Sequence, residues 1–196
     1  MHLLPLTGSF TAEALEIDLA QPLDGEAVDQ IKTAFADHMV LVFRDQVLTL
    51  EELESFALSL GSYGETPFIK TLDSHPNVLR VLREKDEAGP LFGSGWHSDW
   101  SFQVEPPSAT LLYGVDVPTA GGDTAFTNQY LAYETLSDVM KDFLQGLQGV
   151  HSARRSYGPT GTFGRHDPKS SMEIHGDEKA VKEQLHPLVR THPVTG

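Results

Sequence analysis

The chain has 196 residues, with 14 Lys and Arg against 28 Asp and Glu and no cysteine. Its net charge of −14 repels nucleic acid and anionic membranes, and the lack of cysteine removes disulfides and thiolate metal sites. A hydrophobic content of 39% and a charged content of 21% fit a globular chain long enough for one domain with a sizeable core.

Met1 to Phe10 has neither a basic n-region nor a long apolar stretch, so it does not read as a signal peptide. No apolar run approaches a membrane span, and a cytoplasmic protein is the expectation. Glu26 to Asp37 carries Ala27, Ile31, Ala34 and Phe35 at helical spacing. His38 to Phe43 then reads as a buried strand. Thr49-Leu50-Glu51-Glu52 matches a capping box, and the helix it opens places Leu53, Phe56, Ala57 and Leu60 on one face before Gly61. From Asn77 onward the texture changes to short strands, expected at 78–82, 96–102, 109–115, 124–127 and 147–151. Ser137 caps an expected helix to Gln145, with Val139, Phe143 and Leu144 facing inward. Residues 154–184 are rich in Gly, Pro, Ser and charge, with a short helical signal at 177–184. They read as an insertion or lid, or as a tolerated surface excursion.

No repeat, low-complexity tract or linker interrupts the chain, so residues 1–196 read as a single domain. Two early helices beside many short strands predict a mainly β fold with flanking helices, a β-sandwich or jelly roll, rather than a βαβ array.

Trp96-His97-Ser98-Asp99 carries the most chemical information. On a strand, side chains at i and i+2 leave from one face, so His97 and Asp99 would offer a nitrogen and a carboxylate oxygen to one point. With a second, distant His they would form a 2-His-1-carboxylate triad with open metal positions. A bare His-x-Asp also arises as a hydrogen-bonded surface pair. Trp96 and Trp100 would face the opposite side of that strand, as packing residues.

The surrounding residues narrow the reading. Gly95 to Asp99 is followed by Phe102, by Glu105-Pro106-Pro107-Ser108-Ala109-Thr110-Leu111-Leu112-Tyr113 and by Gly121-Gly122-Asp123-Thr124. Ala132 to Ser137 and His186 to Gly196 complete the series. In this order and spacing, from about Val40 to Gly196, the chain resembles the taurine dioxygenase/2,4-D dioxygenase family of Fe(II)- and 2-oxoglutarate-dependent oxygenases.

The resemblance implies a double-stranded β-helix (a clavaminate synthase-like jelly roll), of which this chain is an incomplete part. It also implies Fe(II) held by His97 and Asp99, and a Thr124 hydroxyl on a carboxylate of the co-substrate 2-oxoglutarate. Without the resemblance, Thr124 is a turn residue satisfying backbone groups, as is Asp123. The implied reaction uses O₂ to hydroxylate a small organic acid: a sulfonate, sulfate ester, aryloxy acid or similar. No nucleic-acid or membrane partner is expected, and homo-oligomerisation is left open.

In the family, the second His ligand and the Arg that pairs with 2-oxoglutarate follow the His-Pro-Val-Thr-Gly stretch, so both are expected beyond residue 196. The chain on its own is then expected to be inactive. His151, His166, His175, His186 and His192 are the in-chain alternatives for the missing ligand. Taurine-specific members carry an Asn before the Trp-His pair, and a His and a Tyr after the second helix. Here those places hold Gly93, Thr66 and Ile69, which makes taurine a poor candidate substrate. Tyr63, Phe68, Lys70 and Phe102 are candidate pocket residues. Two other readings remain: a metal-free β-sandwich binding module, and a gene fragment of such an enzyme.

Overall fold

The computed structural model describes residues 1–165 and 167–196. The chain divides into two compact units. One comprises Met1–Ser62, Leu111–Gly146 and Val189–Gly196; the other comprises Tyr63–Thr110 and Leu147–Leu188.

In the first unit, β1 (His2–Pro5) pairs antiparallel with β2 (Ala12–Leu15), and β2 pairs in parallel with β3 (Leu41–Val42). The central strand buries the small side chains of Ala12 and Ala14. Helix α1 (Gly25–His38) starts where Asp24 Oδ1 accepts from the Ala27 amide at 2.8 Å. It buries Ile31 and Ala34, two of the four positions in its apolar pattern. The strand expected at 38–43 shrinks to two residues. The helix runs through His38 and ends on Met39 in the left-handed region (φ 61°), whose amide donates to Phe35. Phe43 instead meets Phe56 edge-on at 5.8 Å.

Helix α2 (Leu50–Leu60) has the predicted capping box. The Glu52 amide donates to Thr49 Oγ1 at 3.2 Å, and the Thr49 amide donates to Glu52 Oε2 at 2.7 Å. Its Phe56 joins Leu19 and Ile31 in the unit's core, with Leu41, Phe43 and Leu60 packed around them. Helices α3 (Gln129–Glu134) and α4 (Asp138–Leu144) follow, the second capped by Ser137 as predicted. The expected inward face of α4 is not buried. Val139 is 79% and Phe143 67% exposed, because among the described residues no apolar layer of the unit lies over them.

The second unit contains β4 (Gln148–Ser152) and β5 (Glu183–Pro187), paired antiparallel from Gln148↔Pro187 to Ser152↔Glu183. A helical turn, α5 (Arg154–Tyr157), follows β4, and a 3₁₀ turn at Glu178–Val181 precedes β5. Residues 154–184 supply Tyr157, Met172, Ile174 and Ala180 to a core shared with Ile69 and Ala153. An antiparallel bridge joins Ile69 to Ile174.

Of the five strands expected after Asn77, only the one at 147–151 is hydrogen-bonded as a strand. Residues 78–82, 96–102, 109–115 and 124–127 run as turns and unpaired backbone, because none finds a ladder partner among the described residues. The sheets are accordingly small: three strands and two.

Tyr157 lies at the centre of the second unit, stacked on Phe68 at 5.2 Å, on Phe163 at 6.1 Å and on Trp100 at 6.2 Å. Burial, and then the negative charge of Asp99, push its phenol up to about 12 from the ordinary 10.0. The raised folded value means that Tyr157 stabilises the fold fully below pH 10. That contribution is lost between pH 10 and 12, where the unfolded chain ionises first. Urea unfolding followed from pH 9 to 12 should show this loss, and Tyr157→Phe should remove it.

Thr49→Ala removes the side-chain half of the capping box, the Oγ1 that accepts from the Glu52 amide, and should destabilise the first unit by about 1 kcal/mol. A lowered denaturant midpoint with an unchanged slope is the expected readout, and Thr49→Ser should retain wild-type behaviour.

Candidate metal centre

His97 and Asp99 belong to the second unit. The chain reaches them as unpaired backbone and then turns at Asp99–Phe102, where Trp100 has φ 47° and the Gln103 amide donates to the Trp100 carbonyl at 2.9 Å. His97 and Asp99 thus do not lie on a hydrogen-bonded strand. The left-handed residue immediately after Asp99 reverses the chain, and Trp100 is held in that conformation by its edge-on contact with Phe102 at 5.6 Å and its stacking on Tyr157. Trp96, expected to pack, is 74% exposed.

The pair is nonetheless close, with His97 Nε2 3.0 Å from Asp99 Oδ1. His97 Nδ1 stands 2.6 Å from the Gly95 carbonyl. A carbonyl only accepts, so Nδ1 carries a proton, and Nε2 of the neutral ring presents a lone pair to the carboxylate. Two acceptors at 3.0 Å need something positive between them: a second ring proton or a metal cation. The other carboxylate oxygen is engaged, since Thr110 Oγ1 donates to Asp99 Oδ2 at 2.7 Å. The imidazole and carboxylate side chains are 54% and 42% exposed, which leaves them open to a ligand.

This donor set fits a first-row divalent metal. Donors about 2.1 Å from one metal and at right angles to each other stand about 3.0 Å apart, the separation of Nε2 and Oδ1. A metal-ligating His also ordinarily donates its other ring N–H to a carbonyl or carboxylate, as His97 does to Gly95.

Among the described residues, no group of three or more His, Asp or Glu side chains gathers as a metal site. His186 Nε2–H donates to the Gln103 carbonyl at 2.9 Å, and its ring meets that of His151 edge-on at 5.3 Å. His175 lies 3.2 Å from Glu173. His192, in the first unit, accepts at Nδ1 from the Val194 and Thr195 amides. His166 lies outside the described residues.

Thr124 belongs to the first unit. It is exposed and follows Gly121 and Gly122, whose φ values of 81° and 73° make the turn that only glycine adopts without strain. No strand begins there. Of the candidate pocket residues, Phe68 and Phe102 pack against the second unit's core. Lys70 pairs with Glu173 at 3.3 Å and Asp73 at 3.8 Å, and these partners raise its ammonium above the ordinary lysine value. Thr110 was not singled out from the sequence; its contact crosses an eleven-residue loop that no local pattern marks.

The family model of the taurine catabolism dioxygenase TauD, TfdA family matches residues 2–196. An alkylsulfatase of Acinetobacter baylyi is 33% identical over 204 residues, covering 100% of this chain and 61% of the relative. An alpha-ketoglutarate-dependent sulfate ester dioxygenase of Pseudomonas putida is 32% identical, covering 98% of this chain and 62% of the relative. The crystal structure of a taurine dioxygenase from Burkholderia xenovorans superposes with a TM-score of 0.76 at 34% identity, covering 100% of this chain and 60% of that one. The chain thus spans about three-fifths of the length of these proteins. With the match running almost from end to end, the chain belongs to the taurine catabolism dioxygenase TauD, TfdA family.

Proposed function

We propose that the protein is an Fe(II)- and 2-oxoglutarate-dependent dioxygenase that hydroxylates a small organic acid, with His97 and Asp99 as metal ligands. The observation that carries the reading is the 3.0 Å approach of a His nitrogen, its lone pair aimed by the Gly95 contact, to a carboxylate oxygen. Family membership and the sulfate ester, sulfonate and aryloxy acid substrates in relatives' names support a small organic acid of one of these classes as the substrate. They also favour this reading over a metal-free binding module. We assign the double-stranded β-helix of the family to the whole protein. The remaining His ligand and an Arg for the co-substrate are assigned to sequence corresponding to the part of the relatives that this chain does not cover.

When bound, Fe(II) supplies redox chemistry that couples decarboxylation of 2-oxoglutarate, to succinate and CO₂, with transfer of the second O₂ oxygen atom into a substrate C–H bond. The chain's own residues supply geometry and charge. His97 provides a neutral nitrogen whose direction is set through Nδ1. Asp99 would supply a negative charge that partly neutralises the cation, and its Oδ2 accepts from Thr110 Oγ1. Thr124 provides an exposed hydroxyl for a carboxylate of 2-oxoglutarate, presented by the Gly121-Gly122 turn.

In the whole protein, His97→Ala and Asp99→Ala should each abolish Fe(II)-dependent succinate release, since losing one ligand weakens the metal itself. Near-normal succinate production by either variant would overturn the assignment. Thr124→Val should raise the KM for 2-oxoglutarate about tenfold or more, the value of a hydrogen bond to a charged group, and leave metal affinity without co-substrate unchanged. An unaltered KM would return Thr124 to a turn role.

A further inference from the structure

We propose that Thr110 is a positioning residue that fixes which oxygen of Asp99 faces His97, so that the carboxylate serves a metal through one oxygen only. The inference rests on the reading of His97 and Asp99 as ligands and extends it to a residue outside the His-x-Asp motif.

A carboxylate with nothing attached rotates about its Cβ–Cγ bond and presents either oxygen, or both, to a cation. Here the rotation is stopped. Thr110 Oγ1 lies 2.7 Å from Oδ2, and against an ionised carboxylate the hydroxyl must be the donor. A charge-assisted bond of this length is among the stronger neutral-to-charged contacts. With Oδ2 taken, Oδ1 is left 3.0 Å from His97 Nε2. A two-oxygen carboxylate would occupy one more coordination position, and the open positions are what this type of site requires.

The loop carrying Thr110 is anchored where it starts, at Gln103. Gln103 anchors the loop at three points. Its amide closes the turn onto Trp100, its side-chain Nε2 donates to the Glu65 carbonyl at 2.9 Å, and its carbonyl accepts from His186 on β5 at 2.9 Å. Pro106 and Pro107 then restrict the backbone on the way to Thr110. Both residues of the hydrogen bond belong to the second unit.

The test is a Co(II) titration of the whole protein, including the part of the relatives' length that this chain does not cover, followed by visible absorption and calorimetry, on wild type, Thr110→Val, Thr110→Ser and Asp99→Ala. Thr110→Val keeps the shape and removes the hydroxyl. It should weaken Co(II) about tenfold, the low end of the effect of removing a hydrogen bond to a metal-ligating group, as befits an exposed contact. It should also change the Co(II) absorption envelope and leave the metal-free melting temperature unchanged. Thr110→Ser should restore both affinity and spectrum. Thr110→Val binding within about twofold of wild type, while Asp99→Ala has lost the metal, would overturn the role of Thr110 and leave the ligand reading standing. Thr110→Ser as weak as Thr110→Val, or a lowered metal-free melting temperature for Thr110→Val, would overturn it in favour of packing. Wild type that fails to bind Co(II), or Asp99→Ala that binds as wild type does, would remove the ligand reading and this inference with it.

Discussion

The stacking of Tyr157 on Phe68 and Trp100 is the contact on which the second unit depends. Phe68 and Trp100 both hold left-handed backbone, with φ 72° and 47°, a conformation that costs a bulky residue on the order of 1–3 kcal/mol. Neither would stay there alone. Tyr157 stacks against both rings, and Ile69 and Ile174, paired across a bridge, join it in the core. Packing therefore over-determines two turns at once. One precedes the Ile69 bridge, and the other immediately follows Asp99. The turn that leaves Asp99 is thereby held by an aromatic cluster that supplies no ligand itself.

A chain of polar contacts continues the same logic outward from that cluster. Gln103 ties the turn after Asp99 to Glu65 on one side and to β5 on the other, and His186 serves as the donor in the second tie. Histidines that composition alone marks as ligand candidates are thus partly consumed in holding the frame. Lys70 and Glu173 form a separate ion pair beside the Ile69–Ile174 bridge, with His175 Nε2 3.2 Å from Glu173.

What could be read from the sequence follows from how local each feature is. Helix α2, its capping box and its Phe56 face depend on residues within one or two turns of each other, and all are found where the pattern put them. Strands depend on partners far along the chain, and four of five expected after Asn77 have no ladder partner among the described residues. The inward face of α4 failed for a related reason, since periodicity marks an apolar stripe but not what lies over it. The proximity of His97 to Asp99 was legible from their spacing, although the pair does not lie on a hydrogen-bonded strand. Thr110 was not legible, because only the tertiary path of the Gln103–Pro107 loop brings its hydroxyl to Asp99.

The exposed ring of Trp96 and the packed ring of Trp100 have a spectroscopic consequence. They are the only two tryptophans in the chain, and they flank His97 and Asp99 directly. One indole is open to water and the other sits among Phe68, Phe102 and Tyr157, so their emission arises from environments of different polarity. Both lie within a few residues of the inferred ligands, where a paramagnetic ion would quench them. Intrinsic fluorescence of the unmodified chain therefore reports on this one locality, with no background from other tryptophans.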